Sequence, residues 1–304
     1  MVQKPAAPAV LEGCAMKHEL NIWVAGGDLR QLALARLLAE DGHTVHTYAL
    51  DGGPEPPPGG SAGLEGVEKA DCVILPLTVT AGGGRLNAPL SRRAVPLHTV
   101  LDCLSPGQFL CGGRPDSEAC ALAAARGLTI RDYFAREELA VANAVPTAEG
   151  AVQLAMEQLP ITIHGARVLV IGFGRVGKLT AQRFAALGAK VSVAARSYDQ
   201  LAWGRAMGFG TEHLEQLGGW LCGYDLIVNT VPAPVLGREP LEDVKPGCLI
   251  LDLASSPGGV DRTAAQALGL TVIHALSLPG KVAPLTAGAA IKDTICNMLR
   301  EAGY

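Results

Sequence analysis

The run Gly172-Phe173-Gly174-Arg175-Val176-Gly177 constrains this chain more than any other feature. It matches G-x-G-x-x-G and stands directly between an apolar strand, Ala166 to Ile171, and a helical segment. The spacing has a mechanical reason. The first glycine allows a tight turn, the second lets the backbone approach a pyrophosphate, and the third lets the helix pack close to the strand. The helix then offers its unpaired N–H groups to the anion. A strand, turn and helix in this order predict a dinucleotide site at Gly172, Phe173, Gly174, Arg175, Val176 and Gly177.

Cofactor choice is read at the end of the next strand, Lys190 to Ala195. An NAD site usually places an acidic residue there, about 20 positions beyond the glycines. This chain has Arg196 and the hydroxyl of Ser197. A guanidinium matches a 2′-phosphate better than a neutral ribose hydroxyl, which predicts NADP. The alternative is that Arg196 stacks on adenine. Ligands bind outside the carboxyl ends of parallel strands. Two later strand ends should therefore line the same cleft, at Thr230-Val231-Pro232 and at Ala254-Ser255-Ser256. Ordinary loop chemistry is the competing explanation for each of these residues.

The rest of the chain repeats the alternation. Asn21 to Ala25, Thr44 to Tyr48 and Asp71 to Pro76 read as strands, the last stopped by its proline. Leu29 to Ala39 has helical spacing, with Leu34, Leu37 and Leu38 on one face. The expected fold is α/β, with two Rossmann-like, doubly wound parallel-sheet domains joined by a bridging helix. With 304 residues, two domains fit the length. The expected division is a loose tail over 1–15, with Met16 a candidate start, and a substrate or catalytic domain over 16–146. The bridging helix spans 147–160, capped by Thr147, and the NADP domain 161–284. A last helix over 285–304 packs back on the first domain. Near the start, Gly26-Gly27-Asp28-Leu29-Arg30 lacks a third glycine and marks a substrate domain more than a second dinucleotide site.

Composition narrows the partners. A net charge of −4 gives no global attraction to nucleic acid or to an anionic membrane. No apolar run approaches the length of a membrane span, and the first fifteen residues, with Lys4, do not look like a secretory signal. The eight cysteines, among them Cys14, are scattered without C-x-x-C or zinc-ligand spacing, so no metal site is expected. They read as reduced thiols of a cytoplasmic protein. The apolar composition and the bridging helix suggest a homo-oligomer.

Several runs together resemble the family of dipicolinate synthase A subunits. They are Val24-Ala25-Gly26-Gly27-Asp28, Asn143 to Ala151, Leu159 to Gly165, Gly172 to Lys178, and Leu278-Pro279-Gly280-Lys281-Val282-Ala283-Pro284. The resemblance spans nearly the whole chain after Met16. It implies NADP-dependent oxidation of dihydrodipicolinate, or its hydroxylated tetrahydro precursor, to dipicolinate. It also implies a flavoprotein-like partner, the B subunit of dipicolinate synthase, and a place in the mother cell of a sporulating bacterium. A dicarboxylate substrate needs fixed cations or N–H donors. Lys281, Asn143 and Thr147 are the candidate catalytic residues, against the alternatives of a solvated loop lysine and of capping or turn chemistry. Arg85, Arg92 and Arg93 are weaker anion-binding candidates, and His164 and His274 weaker proton carriers. Two rival functions stay open. One is a D-2-hydroxyacid dehydrogenase, although Ala254-Ser255-Ser256 lacks the arginine such enzymes carry after the fifth strand. The other is a non-catalytic NADP-binding protein.

Overall fold

The computed structural model describes residues 18–304. The expected tail, Met16, Lys4 and Cys14 lie outside the described residues. The chain divides into two compact units. One ends at Ala140 and is completed by Pro284–Tyr304, and the other is Val141–Ala283.

The first unit holds β1 (Asn21–Ala25), α1 (Leu29–Glu40), β2 (Thr44–Tyr48), β3 (Gly60–Ser61), β4 (Cys72–Leu77), α2 (Leu97–Leu101), β5 (Phe109–Gly113), α3 (Ser117–Ala124) and β6 (Arg131–Asp132). Its strands form one parallel sheet in the order β3-β2-β1-β4-β5-β6. Such a sheet is covered on both faces, so its inner strands β1, β4 and β5 are mostly apolar instead of alternating, and all of β4 is buried. Successive side chains go to opposite faces. Trp23, Val73 and Leu75 enter one core with Val100 and Leu110. Ile22, Val24 and Ile74 enter the other with Leu34 and Leu38. Pro76 does not end β4 as expected. The strand runs through it to Leu77, and the ladder to β5 shifts register between Ile74 and Leu77. The irregular register accommodates a residue with no N–H to donate.

Helix α4 (Glu137–Gln158) runs from the first unit into the second. It starts ten residues before the expected bridging helix. Glu137 and Glu138 lie in its first turn, where negative charge suits the helix dipole. Pro146 stands inside the helix and does not open it, and Thr147 is not a cap: its hydroxyl donates to the Asn143 carbonyl at 2.7 Å.

The second unit continues with β7 (Arg167–Ile171), α5 (Arg175–Ala186), β8 (Lys190–Ala195), α6 (Tyr198–Ala206), β9 (Gly210–His213), β10 (Leu226–Asn229), α7 (Arg238–Glu242), β11 (Leu249–Asp252), α8 (Arg262–Ala267), β12 (Thr271–His274) and α9 (Leu278–Val282). Its sheet is again parallel, in the order β12-β11-β10-β7-β8-β9. Both sheets therefore have the doubly wound order, turning at their first strand. Helix α9 replaces the loop expected at Pro279-Gly280-Lys281. Pro279 falls in its first turn, where a missing N–H costs nothing.

The last helix, α10 (Pro284–Glu301), belongs to the first unit and packs Ile291, Ile295 and Leu299 into the core that α1 also covers. Buried Lys292 meets Asp41 at 2.5 Å, and Arg136 holds Glu301 through two bonds of 2.7 Å. Beside Lys292, His43 is buried and accepts the Leu20 amide through Nδ1. Burial first, and the Lys292 charge after it, hold the His43 pKa below its usual value, against the pull of Asp41 and Glu19. The stability this neutral ring contributes is complete above about pH 6.5 and is lost as pH falls through the depressed value. The thermal midpoint is thus expected to fall over that acidic window in the parent. His43→Asn, which keeps an acceptor for Leu20, should flatten the slope.

Candidate functional site

The carboxyl end of β7 builds the glycine turn. Gly172 has φ +91°, and a Cβ there would stand 2.5 Å from Thr230 Oγ1. A Cβ on Gly177 would stand 2.1 Å from the Gly172 carbonyl oxygen, so α5 can close on β7 only with glycine there. Gly174 is different. A Cβ on it meets nothing within 4 Å, which leaves open space over the turn. Gly174 is also the N-cap of α5, and no side chain caps that terminus. Phe173 is buried, Val176 is half-buried and Arg175 is exposed. Glycine-tight below and open above, with uncapped N–H groups, the turn fits the pyrophosphate of a dinucleotide.

Arg196 and Ser197 follow β8, the strand beside β7. The Arg196 side chain is exposed and forms no ion pair or hydrogen bond with the described residues. Its backbone is pinned from β9. His213 Nε2 donates to the Arg196 carbonyl at 2.9 Å, and its ring stacks on Tyr198 at 5.3 Å. His213 was not legible in the sequence, because only strand pairing brings it to Arg196.

A buried polar network organises the ends of β10, β11 and β12. Asp252 accepts from Asn229 Nδ2 at 2.8 Å, the Ala254 amide at 3.2 Å and the Gly259 amide at 2.9 Å. Asn229 also bridges the Val231 amide and carbonyl, each at 3.0 Å. His274 Nε2 donates to the Ala254 carbonyl at 2.9 Å, so it pins the loop. Thr230 donates its hydroxyl to the Ile171 carbonyl at 2.9 Å and braces the turn from below. The loops at Val231-Pro232 and Ala254-Ser255 are thereby fixed in shape, with Pro232 and Ser255 exposed. Asn229 and Asp252 were missed by sequence reasoning. Their signal was a polar residue closing an otherwise apolar strand.

On α4, Asn143 is 8% exposed and its Oδ1 has no partner among the described residues. Thr147 is tied to its carbonyl, as above. Three residues beyond Thr147, Gly150 lets Leu278 of α9 pack on α4, since a Cβ would stand 3.2 Å from Leu278 Cβ. Lys281 of the same short helix is exposed and has no ion pair or hydrogen bond with the described residues, including Asn143 and Thr147. His164 is exposed and precedes β7, at the end of the sheet away from the glycine turn.

The first unit shows why its own turn differs. Asp28 caps α1 through the Arg30 amide at 2.9 Å and binds the Arg30 guanidinium at 2.7 Å. A fixed carboxylate thus occupies the place an anion would take. Leu86 and Gln31 stand over Gly26 and Gly27. Arg85 and Arg92 are exposed at the surface, and Arg93 donates to the Ala62 carbonyl.

Family models match both units. The N-terminal domain of the dipicolinate synthase A subunit matches residues 21–134, and the NAD binding domain of D-isomer specific 2-hydroxyacid dehydrogenases matches residues 123–268. The dipicolinate synthase A subunit of Bacillus subtilis (strain 168) is 35% identical over 93% of this chain and 96% of its own length. The chain belongs to the family of dipicolinate synthase A subunits. The crystal structure of the Bacillus subtilis family member superposes with a TM-score of 0.84, covering 95% of this chain and 98% of that one, at 35% identity. The family member from Bacillus halodurans superposes at 0.85 and 31% identity, over 92% and 97%. D-3-phosphoglycerate dehydrogenase of Mycobacterium tuberculosis (strain H37Rv) is 28% identical over 90% of this chain but only 46% of its own length. This dipicolinate synthase family member is thus an oxidoreductase with a nicotinamide dinucleotide domain of the 2-hydroxyacid dehydrogenase type. Among its described residues, no helix is long and apolar enough to cross a membrane.

Proposed function

We propose that this chain oxidises dihydrodipicolinate, or its hydroxylated tetrahydro precursor, to dipicolinate with NADP, acting with the dipicolinate synthase B subunit during sporulation in the mother cell. The observation that carries the cofactor choice is Arg196, an exposed guanidinium without an ion pair among the described residues, at the end of β8 where an NAD site would hold a carboxylate. Gly172 to Gly177 would hold the pyrophosphate, Arg196 and Ser197 the 2′-phosphate, and the loops at Thr230-Val231-Pro232 and Ala254-Ser255 the nicotinamide half. When bound, NADP would supply the hydride acceptor; the dihydro ring gives up a hydride and a proton to become aromatic, and the hydroxylated tetrahydro precursor loses a molecule of water besides.

The chain's own groups bind and position the dicarboxylate. Lys281, a cation with no ion pair among the described residues, binds a substrate carboxylate. Asn143 offers its Oδ1, which has no partner among the described residues, to the hydroxyl of the tetrahydro precursor. Thr147 acts as a positioning residue, because its hydroxyl is committed to the Asn143 carbonyl. Fixed placement of this kind contributes several kcal/mol to lowering a barrier.

Titration calorimetry with NADP and NAD tests the cofactor choice. The parent is expected to bind NADP the more tightly. Arg196→Ala should weaken NADP by about 10- to 100-fold, the worth of one charge-assisted contact of about 1.5–3 kcal/mol, and leave NAD unchanged. Tighter binding of NAD by the parent would refute the assignment.

A further inference from the structure

A second cavity lies in the dinucleotide unit, at the opposite end of the sheet from the glycine turn. Its volume is about 530 Å³, within the range of small-molecule sites. Arg167 and Lys190 open β7 and β8 and are direct partners in the parallel register, so their side chains leave the same face of the sheet, side by side. Like charges on neighbouring strands repel. Both side chains are exposed, and neither forms an ion pair or side-chain hydrogen bond with the described residues. Among the described residues, no carboxylate lines the cavity. Asp225, next to the lining residue Tyr224, gives its oxygens to Lys245 at 2.5 Å and to the Arg167 amide at 2.8 Å. Tyr224 lies under the Arg167 guanidinium at 5.9 Å. In a chain of net charge −4, two cations thus meet at the rim of a cavity without a direct ion pair among the described residues, Arg167 feeling only the more distant charge of Asp225.

We propose that this cavity is a second ligand site, which takes a small carboxylate with an apolar body. The two cations set the charge of the ligand, since guanidinium and ammonium groups pair with carboxylate or phosphate oxygens. The walls decide between those two. Met207, Phe209, Tyr224 and Val191 line the cavity; they bury an apolar body that inorganic phosphate does not have. The site is distinct from the dinucleotide turn: the length of β7 separates Arg167 from Gly172, about 16 Å at the rise of a parallel strand.

Titration calorimetry of the full chain carrying Lys281→Ala, which serves as the parent here so that the proposed substrate cation is absent, and saturated with NADP so that the dinucleotide site is filled, tests this with isophthalate and with inorganic phosphate as probes. The parent is expected to bind isophthalate saturably and phosphate more weakly. The double variant Arg167→Ala/Lys190→Ala should bind isophthalate about 10-fold more weakly or worse, with NADP affinity unchanged as the control for folding. Lys190→Met, which keeps an apolar stem and removes one charge, should fall between parent and double variant, and it carries the test should the double variant fail to fold. No isophthalate binding by the parent, equal affinity in the charge-removed variants, or phosphate binding as tight as isophthalate would each overturn the proposal.

Discussion

Gly174→Val is expected to fold and melt much as the parent does, yet to bind dinucleotide about 100-fold more weakly. The two halves of that result have separate causes. Gly174 has φ −81° and ψ −159°, extended backbone that any residue adopts, and a Cβ there meets no neighbour within 4 Å. The cost to the fold is the poorer N-cap, about 1 kcal/mol or less. The added methyl groups, however, fill the space where backbone N–H groups would meet a pyrophosphate. Losing two charge-assisted hydrogen bonds at about 1.5 kcal/mol each gives the 100-fold figure. Gly177→Ala should behave in the opposite way. Its Cβ would stand 2.1 Å from the Gly172 carbonyl oxygen, so α5 must move off β7. That overpacking costs about 1–3 kcal/mol, and the melting temperature falls together with the affinity. Thermal melts beside titration calorimetry separate the two variants. Parent-like dinucleotide affinity in Gly174→Val would place the cofactor elsewhere.

The largest loss of stability is expected from Asp252→Ala. The carboxylate is 1% exposed and receives three donors. Removing it strands the Ala254 and Gly259 amides in the interior, where an unsatisfied donor costs about 1–3 kcal/mol. Asn229 keeps its bond to the Val231 carbonyl and loses less. A total of about 3–5 kcal/mol is expected from urea unfolding, with Asp252→Asn between the two because its amide nitrogen faces a donor. A loss below about 1 kcal/mol would mean that the network does not hold these loops together.

Legibility in the sequence followed the range of the interactions. The glycine turn is local: an apolar strand, three glycines at set spacing and a helix lie within a few residues, so both its place and its geometry could be read. The two parallel sheets were legible for the same reason, through apolar runs alternating with helical spacing. Proline and glycine misled where tertiary packing overrode them. Pro146 resembles a helix opening, yet α4 passes through it. Pro76 resembles a strand stop, yet β4 continues across an irregular register. Pro279-Gly280 resembles a turn, yet α9 forms where Leu278 packs against Gly150. The network of Asn229, Asp252 and His274 was out of reach, because it joins the ends of three strands that only the folded sheet places side by side. Thr230 shows the limit within a correctly read motif. Its position beside the turn was legible, but its hydroxyl serves the Ile171 carbonyl.

The most direct measurement mixes the purified chain with NADP and freshly formed dihydrodipicolinate, with and without the B subunit, and follows reduced nicotinamide by its absorbance. NADPH is expected to accumulate in step with dipicolinate. Absence of NADPH in both mixtures, or NADPH consumption driven by 2-keto acids instead, would contradict the proposed reaction.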